Sequence, residues 1–313
     1  MSKEIPMPNE IPEQTKFNEK NWKLTIPIKD NNAENAKEIL PPFENTIHFV
    51  KQSDNSFQMT APVNGATTKG SSYPRCEFRE MNLDGSKAAW STASEKHTMI
   101  YTSAVTQFPP VKQQVVTGQI HDSEDDVIMI RHTNNKKLIE VIQDTTKYGI
   151  LDENYEIGQK YTICIKVDNG TITVLYKKSV PTGVVSTSVT IPNMKYNGCY
   201  FKVGCYTQSN VSKESSEDGA GSVRLYGATV THEKNSSAPA PKPSTDVPIQ
   251  KPVPSTDVPI QKPVPSIDPS NPQQSIPKPS CIINFDNETN SQKPTIICYG
   301  TVYINGSVYI KPE

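Results

Sequence analysis

The chain has 313 residues, and its 32 Lys and Arg balance 33 Asp and Glu to a formal net charge of −1, which excludes a strongly basic nucleic-acid footprint. Hydrophobic residues amount to only 34%, alongside 27 prolines. That is low for one compact globule and implies segments that contribute no core.

Residues 1–20 are polar and proline-containing and read as a flexible tail. Their start, MSKEIPMPNEIPEQTKF, has no apolar h-region, which points to cytosolic synthesis with non-classical release or association with a particle. No run approaches eighteen consecutive apolar residues, so no membrane contact through a spanning helix is expected.

Residues 21–233 are strand-rich. TIHFVK (46–51), HTMIYTSAV (97–105), QVVTGQIH (114–121), DVIMIRH (126–132), KLIEVIQ (137–143), YTICIKV (161–167), TITVLYK (171–177), CYFKVGCYTQ (199–208) and SVRLYGATVTH (222–232) all suit strands. They are short, β-branched and aromatic, and turn residues such as Asp168-Asn169-Gly170 separate them. Only NNAENAKEIL (31–40) has helix signals, an Asn cap and a stop at Pro41-Pro42. Many strands without βαβ alternation predict an all-β fold, a two-sheet antiparallel sandwich of β-jelly-roll type.

From 234 to 280 the composition shifts to Pro, Ser, Lys and Gln, and STDVPIQKPVP occurs at 244–254 and again at 255–265. Spaced prolines favour polyproline II and forbid sheet or helix interiors, so this stretch reads as a linker. Residues 281–313 form a small β segment, in which TVYINGSVYI reads as a hairpin around Asn305-Gly306. It suits a stapled mini-module, an oligomerisation piece or a tag that binds a partner, and Cys281 and Cys298 are a possible bridge within it. Of the six cysteines, Cys76, Cys164, Cys199 and Cys205 sit in strand-like runs and are expected as buried thiols.

Three strands carry one polar row each. Arg75, Glu77 and Arg79 alternate with Cys76 and Phe78, so a strand sends two guanidiniums and a carboxylate to one face. Gln119 and His121 share a face opposite Ile120, and Tyr200, Lys202, Gly204, Tyr206 and Gln208 share a face opposite Phe201, Val203 and Cys205. Gly204 is expected to leave room for something close to the sheet. Each residue alone has a structural explanation: a surface salt-bridge row, a satisfied histidine, a rim tyrosine.

Side by side, the rows suit β-elimination from a uronic acid polymer. Arg75 and Gln119 can neutralise the sugar carboxylate, which makes the adjacent C5 proton removable. Neutral His121 can take that proton, and the phenol of Tyr206 can protonate the departing glycosidic oxygen. Hydrolysis needs two flanking carboxylates, and the row offers only Glu77 between two arginines, where it fits an organising role toward Arg75 or Arg79. The acidic run DSEDD (122–126) lacks the Gly and closing Glu of a calcium loop and reads as solvated. No metal and no cofactor is called for.

NWKLTIP (21–27), APVNGATTKGSSYPRCEFREM (61–81), QIH (119–121), YFKVGCYTQ (200–208) and RLYGATVTH (224–232) occur in an order that resembles polysaccharide lyase family 7, the alginate lyases. The resemblance implies a β-jelly roll whose concave sheet binds alginate. It implies Arg75, Gln119, His121 and Tyr206 as catalytic residues, with Tyr206 serving as both base and acid on mannuronate. Arg79, Glu77, Tyr200, Lys202 and Gln208 are expected to bind substrate, and Ile120 leans toward guluronate-containing blocks. Glucuronan lyases are similar in fold and motifs, so glucuronan is the alternative polymer. A non-catalytic carbohydrate-binding or attachment protein on the same scaffold is the rival from outside enzymology.

Overall fold

The computed structural model describes residues 11, 16–30, 33–181 and 183–233, together with four short strands near the C-terminus. The chain divides into two units, 1–242 and 243–313. The first is built from β1 (Trp22–Asp30), β2 (Ala33–Ile39), β3 (Phe49–Lys51), β4 (Phe57–Pro62), β5 (Arg75–Glu80), β6 (Lys96–Gln107), β7 (Gln114–His121) and β8 (Asp126–Thr133). It continues through β9 (Leu138–Gln143), β10 (Thr146–Asp152), β11 (Tyr161–Asp168), β12 (Thr171–Val180), β13 (Gly183–Ile191), β14 (Tyr200–Thr207) and β15 (Ala220–Glu233).

These strands make two antiparallel sheets. One runs β10-β9-β8-β7-β14-β5-β1-β2 and the other β13-β12-β11-β6-β15-β4-β3. The crossing order places β14, late in the chain, between β5 and β7, and so brings the three polar rows together. The register sets Lys202 opposite both Arg79 and Gln119, Tyr206 opposite Arg75, and Tyr200 opposite His121.

Period-two alternation decides which side chains are buried. Cys76, Phe78, Phe201, Val203 and Cys205 are all fully inside. Phe78 anchors an aromatic cluster with Phe43, Phe49 and Phe57, at centroid distances of 5.1, 5.7 and 5.8 Å; burying each such ring stabilises the sandwich by roughly 1.5–3 kcal/mol. The other half of the core is tyrosine-rich, and each hydroxyl finds a partner as buried polar groups must. Tyr161 donates to Thr117 Oγ1 at 3.1 Å and Tyr176 to Asp152 Oδ2 at 2.6 Å. Cys76, Cys164, Cys199 and Cys205 are buried free thiols, as expected.

Two expectations change. Residues 33–39 form strand β2, not a helix, paired with β1 through Leu24↔Ile39, Thr25↔Glu38 and Ile26↔Lys37. Alanine propensity gave way to an open sheet edge, where the segment's backbone pairs with β1. Gly204 has φ +146°, and a Cβ there would meet Cys76 O at 2.7 Å and Glu77 Cα at 2.9 Å. The neighbouring strand, rather than a ligand, therefore demands glycine at this position. Phe17, in the expected tail, stacks on Trp22 at 6.2 Å and packs at a tilt against Phe78 at 5.4 Å.

In the second unit, β16 (Cys281–Ile283) pairs with β17 (Ile296–Cys298), and β18 (Val302–Ile304) with β19 (Ser307–Tyr309). The backbone register sets Cys281 opposite Cys298. The linker at 234–280 and the Asn305-Gly306 turn lie outside the described residues.

Candidate active site

The outer face of the eight-stranded sheet holds a cleft of about 900 Å³. Arg75, Arg79, Gln119, His121, Tyr200, Lys202, Tyr206 and Gln208 all line it, while Glu77 lies beneath them with no exposure. Eight cations line the cleft against five carboxylates, a balance that favours a polyanion.

Glu77 organises the floor. Its carboxylate takes Lys202 Nζ at 2.7 Å, Arg75 Nη1 at 3.3 Å and an amide N–H of Gln119. Its partners are therefore Arg75, Lys202 and Gln119 rather than Arg79. Burial alone would raise its pKa, but the Lys202 and Arg75 charges and the bonds from Lys202 and Gln119 hold the carboxyl below the usual range. Lys202 is pushed down to about 8, first by burial and then by Arg75.

Arg75 stacks over the Tyr206 ring at 3.8 Å and donates through Nη2 to Ser71 Oγ at 3.1 Å. Ser71 Oγ also lies 3.0 Å from the Tyr206 hydroxyl, so one serine ties the guanidinium to the phenol. Arg75 Nε and Gln208 Nε2 are buried without a protein partner. Buried donors of this kind are rarely left unmade, which marks both as available to a ligand. One N–H of the Gln119 amide is likewise left over after its bond to Glu77.

His121 has its Nδ1 2.8 Å from the carbonyl of Asp122 and 3.2 Å from the Tyr200 hydroxyl. A carbonyl only accepts, so Nδ1 carries the proton and Nε2 keeps the lone pair. Burial, then the Lys202 and Arg75 charges, lower its pKa, so the ring is neutral at physiological pH. Arg79 caps the Tyr200 ring at 3.9 Å and donates to the carbonyls of Ala88, at 2.9 Å, and Glu80.

Residues that the strand patterns did not reveal also line the cleft. Lys112 donates to the Tyr73 hydroxyl at 3.0 Å, and Arg131, on β8, pairs with Glu140 at 3.1 Å. Lys23, opposite Arg79 in the sheet, pairs with Glu38 of β2 at 2.6 Å. Ser71 stands within the quoted block before β5 and could have been singled out; Lys112 lies on a loop with no periodic signal. DSEDD forms part of the rim beside His121, and burial raises Asp126 to about 6.

An antiparallel sandwich with a cation-lined cleft over one sheet defines a carbohydrate-active jelly roll for acidic polymers. Comparison with known proteins narrows this. The alginate lyase family model matches residues 17–232. Alginate lyase AlgAT5 of polysaccharide lyase family 7 is 44% identical over 68% of this chain and 95% of its own, with a TM-score of 0.60. The alginate lyase from Corynebacterium sp. is 35% identical over the same shares, with a TM-score of 0.59. No curated protein matches the chain. The chain belongs to the alginate lyase family of polysaccharide lyases, family 7.

Proposed function

We propose that the sandwich domain cleaves alginate by β-elimination, with Arg75, Gln119, His121 and Tyr206 as its catalytic groups. The observation that carries this reading is the single cleft in which the lyase residues meet over a fully buried Glu77. The uronate carboxylate binds at the free N–H groups of Arg75 and Gln119, which stabilise the charge that develops on it as the C5 proton leaves. His121 Nε2 takes that proton. The C5 electron pair forms the C4–C5 double bond, the glycosidic C4–O bond breaks, and the Tyr206 hydroxyl protonates the departing oxygen. The residual phenolate and imidazolium return to their starting forms by exchange with water. On mannuronate, where the proton lies on the other face, Tyr206 serves both roles.

Lys202, Arg79, Tyr200 and Gln208 hold the neighbouring sugars. Mixing the full chain with alginate, polymannuronate, polyguluronate and glucuronan and following the ultraviolet absorbance of the conjugated product tests the reading. A rise on alginate is expected. Binding without any rise on all four polymers would leave a carbohydrate-binding protein instead.

A further inference from the structure

We propose that Glu80, His232 and His97 form a proton-holding clasp that positions the segment of β14 bearing Tyr200 and Lys202. For its catalytic consequence the proposal rests on reading the cleft as a lyase site. Glu80 follows Arg79 on β5 but faces the sandwich interior, where it is 1% exposed. Its Oε2 accepts from the backbone N–H of Phe201 at 2.9 Å and from the Trp90 indole at 3.0 Å. Phe201 lies between Tyr200 and Lys202, so this carboxylate holds the backbone from which both cleft residues project. Its Oε1 meets His232 Nε2, on β15 of the opposite sheet, at 2.6 Å. His232 Nδ1 in turn lies 2.7 Å from His97 Nδ1, and His97 Nε2 lies 3.1 and 3.0 Å from the carbonyls of Ser91 and Ser94.

Counting hydrogens settles the charge. Carbonyls only accept, so His97 Nε2 carries a proton. The contact between the two Nδ1 atoms needs a second, and the contact between His232 and the carboxylate a third. Two neutral imidazoles and a carboxylate carry only two. The trio therefore holds one extra proton and is neutral as a whole. His97 faces two carbonyls and the other ring, whereas His232 Nε2 faces the carboxylate, so the geometry places the charge on His232 beside Glu80. The Trp90 ring stacks on His97 at 4.2 Å and shields it. The other charges nearby are Arg79, which donates to the Glu80 carbonyl from the cleft side, Glu233, in register with Lys96, and the Lys96–Asp168 pair at 3.4 Å.

Glu80→Gln is the discriminating variant, because its amide oxygen can keep the Phe201 and Trp90 bonds while its N–H donates to a neutral His232. Selective nitrogen-15 labelling of histidine in the full chain reads the rings directly. Both nitrogens of wild-type His232 are expected to be protonated at neutral pH, and only Nδ1 in Glu80→Gln. A bare nitrogen on wild-type His232 overturns the assignment.

Kinetics on alginate test the positioning. Glu80→Ala should lose roughly 10- to 100-fold in kcat, the scale of a lost charge-assisted bond, while Glu80→Gln retains most of it. Equal losses in the two variants overturn the hydrogen bond as the positioning element. A chain inactive on every uronan refutes the lyase reading instead, and the labelled histidines still decide the clasp.

Discussion

Replacing Glu77 by Gln keeps the shape of the cleft floor and removes its one buried anion. Glu77 has no exposed side-chain surface, and its partners Arg75 and Lys202 are 7% and 9% exposed. Removing one member of a buried ion pair strands the other and typically costs 3–5 kcal/mol. Here two cations are stranded, but one has an exit. Lys202 already sits at about 8, and losing its anion drives it lower, so it can shed its proton near neutral pH. The expected loss at neutral pH is therefore near the lower end, about 3 kcal/mol. It should shrink as pH rises toward about 8 and level off above that, where Lys202 is neutral in either protein. Denaturant unfolding of both proteins across that range measures this. Without its carboxylate partner Arg75 also loses its aim, and kcat/KM on alginate should fall about 10²-fold, as when one donor to a developing oxyanion is lost. A stability loss under about 1 kcal/mol, or one that grows with pH, would refute the account of Glu77 as the counter-charge of the floor.

Tyr206→Phe keeps the ring under Arg75 and removes the proton donor, so kcat should drop about 10²-fold or more at nearly constant KM; a change confined to KM would point to a binding role. His121 is lowered by burial and by the Lys202 and Arg75 charges, so the acid limb of kcat/KM on polyguluronate should lie below the ordinary imidazole value of 6.5. Lys202→Met should move that limb upward, and no movement would remove Lys202 as a cause. Because the folded pKa of Lys202 is depressed to about 8 from 10.5, the unfolded chain binds more protons between those values, and this group's contribution to stability rises with pH there. In the same window the cleft loses a positive charge, so KM for alginate should climb, and calorimetry in two buffers should detect proton uptake on binding. Deleting 235–313 should leave turnover on alginate largely intact; its abolition would assign the C-terminal segment a catalytic part.

Much was legible in the residues themselves. Alternation in 75–79, 119–121 and 199–208 told which side chains face the core and which face out, because a strand's two-residue period leaves no third choice. The all-β class followed from the same signal. Segment 31–40 misled, since its alanines and cap residues describe local preference, whereas an unpaired edge of β1 offered backbone bonds that local preference cannot see. Strands β1, β4, β10 and β13 are absent from the strand runs read in the sequence, and β13 in particular is a mostly exposed run without alternating burial.

The side-chain pattern along the chain determined the two faces of each strand and the kinds of group each presents, for these depend only on neighbours two positions apart. Tertiary structure alone decided that β14 lies between β5 and β7, that Glu77 grips Lys202 and Gln119 rather than Arg79, and that Ser71 and Lys112 reach the cleft. Strand order and loop placement are settled by contacts between residues as much as 170 positions apart, such as Asp54 with Arg224, and no local period encodes them.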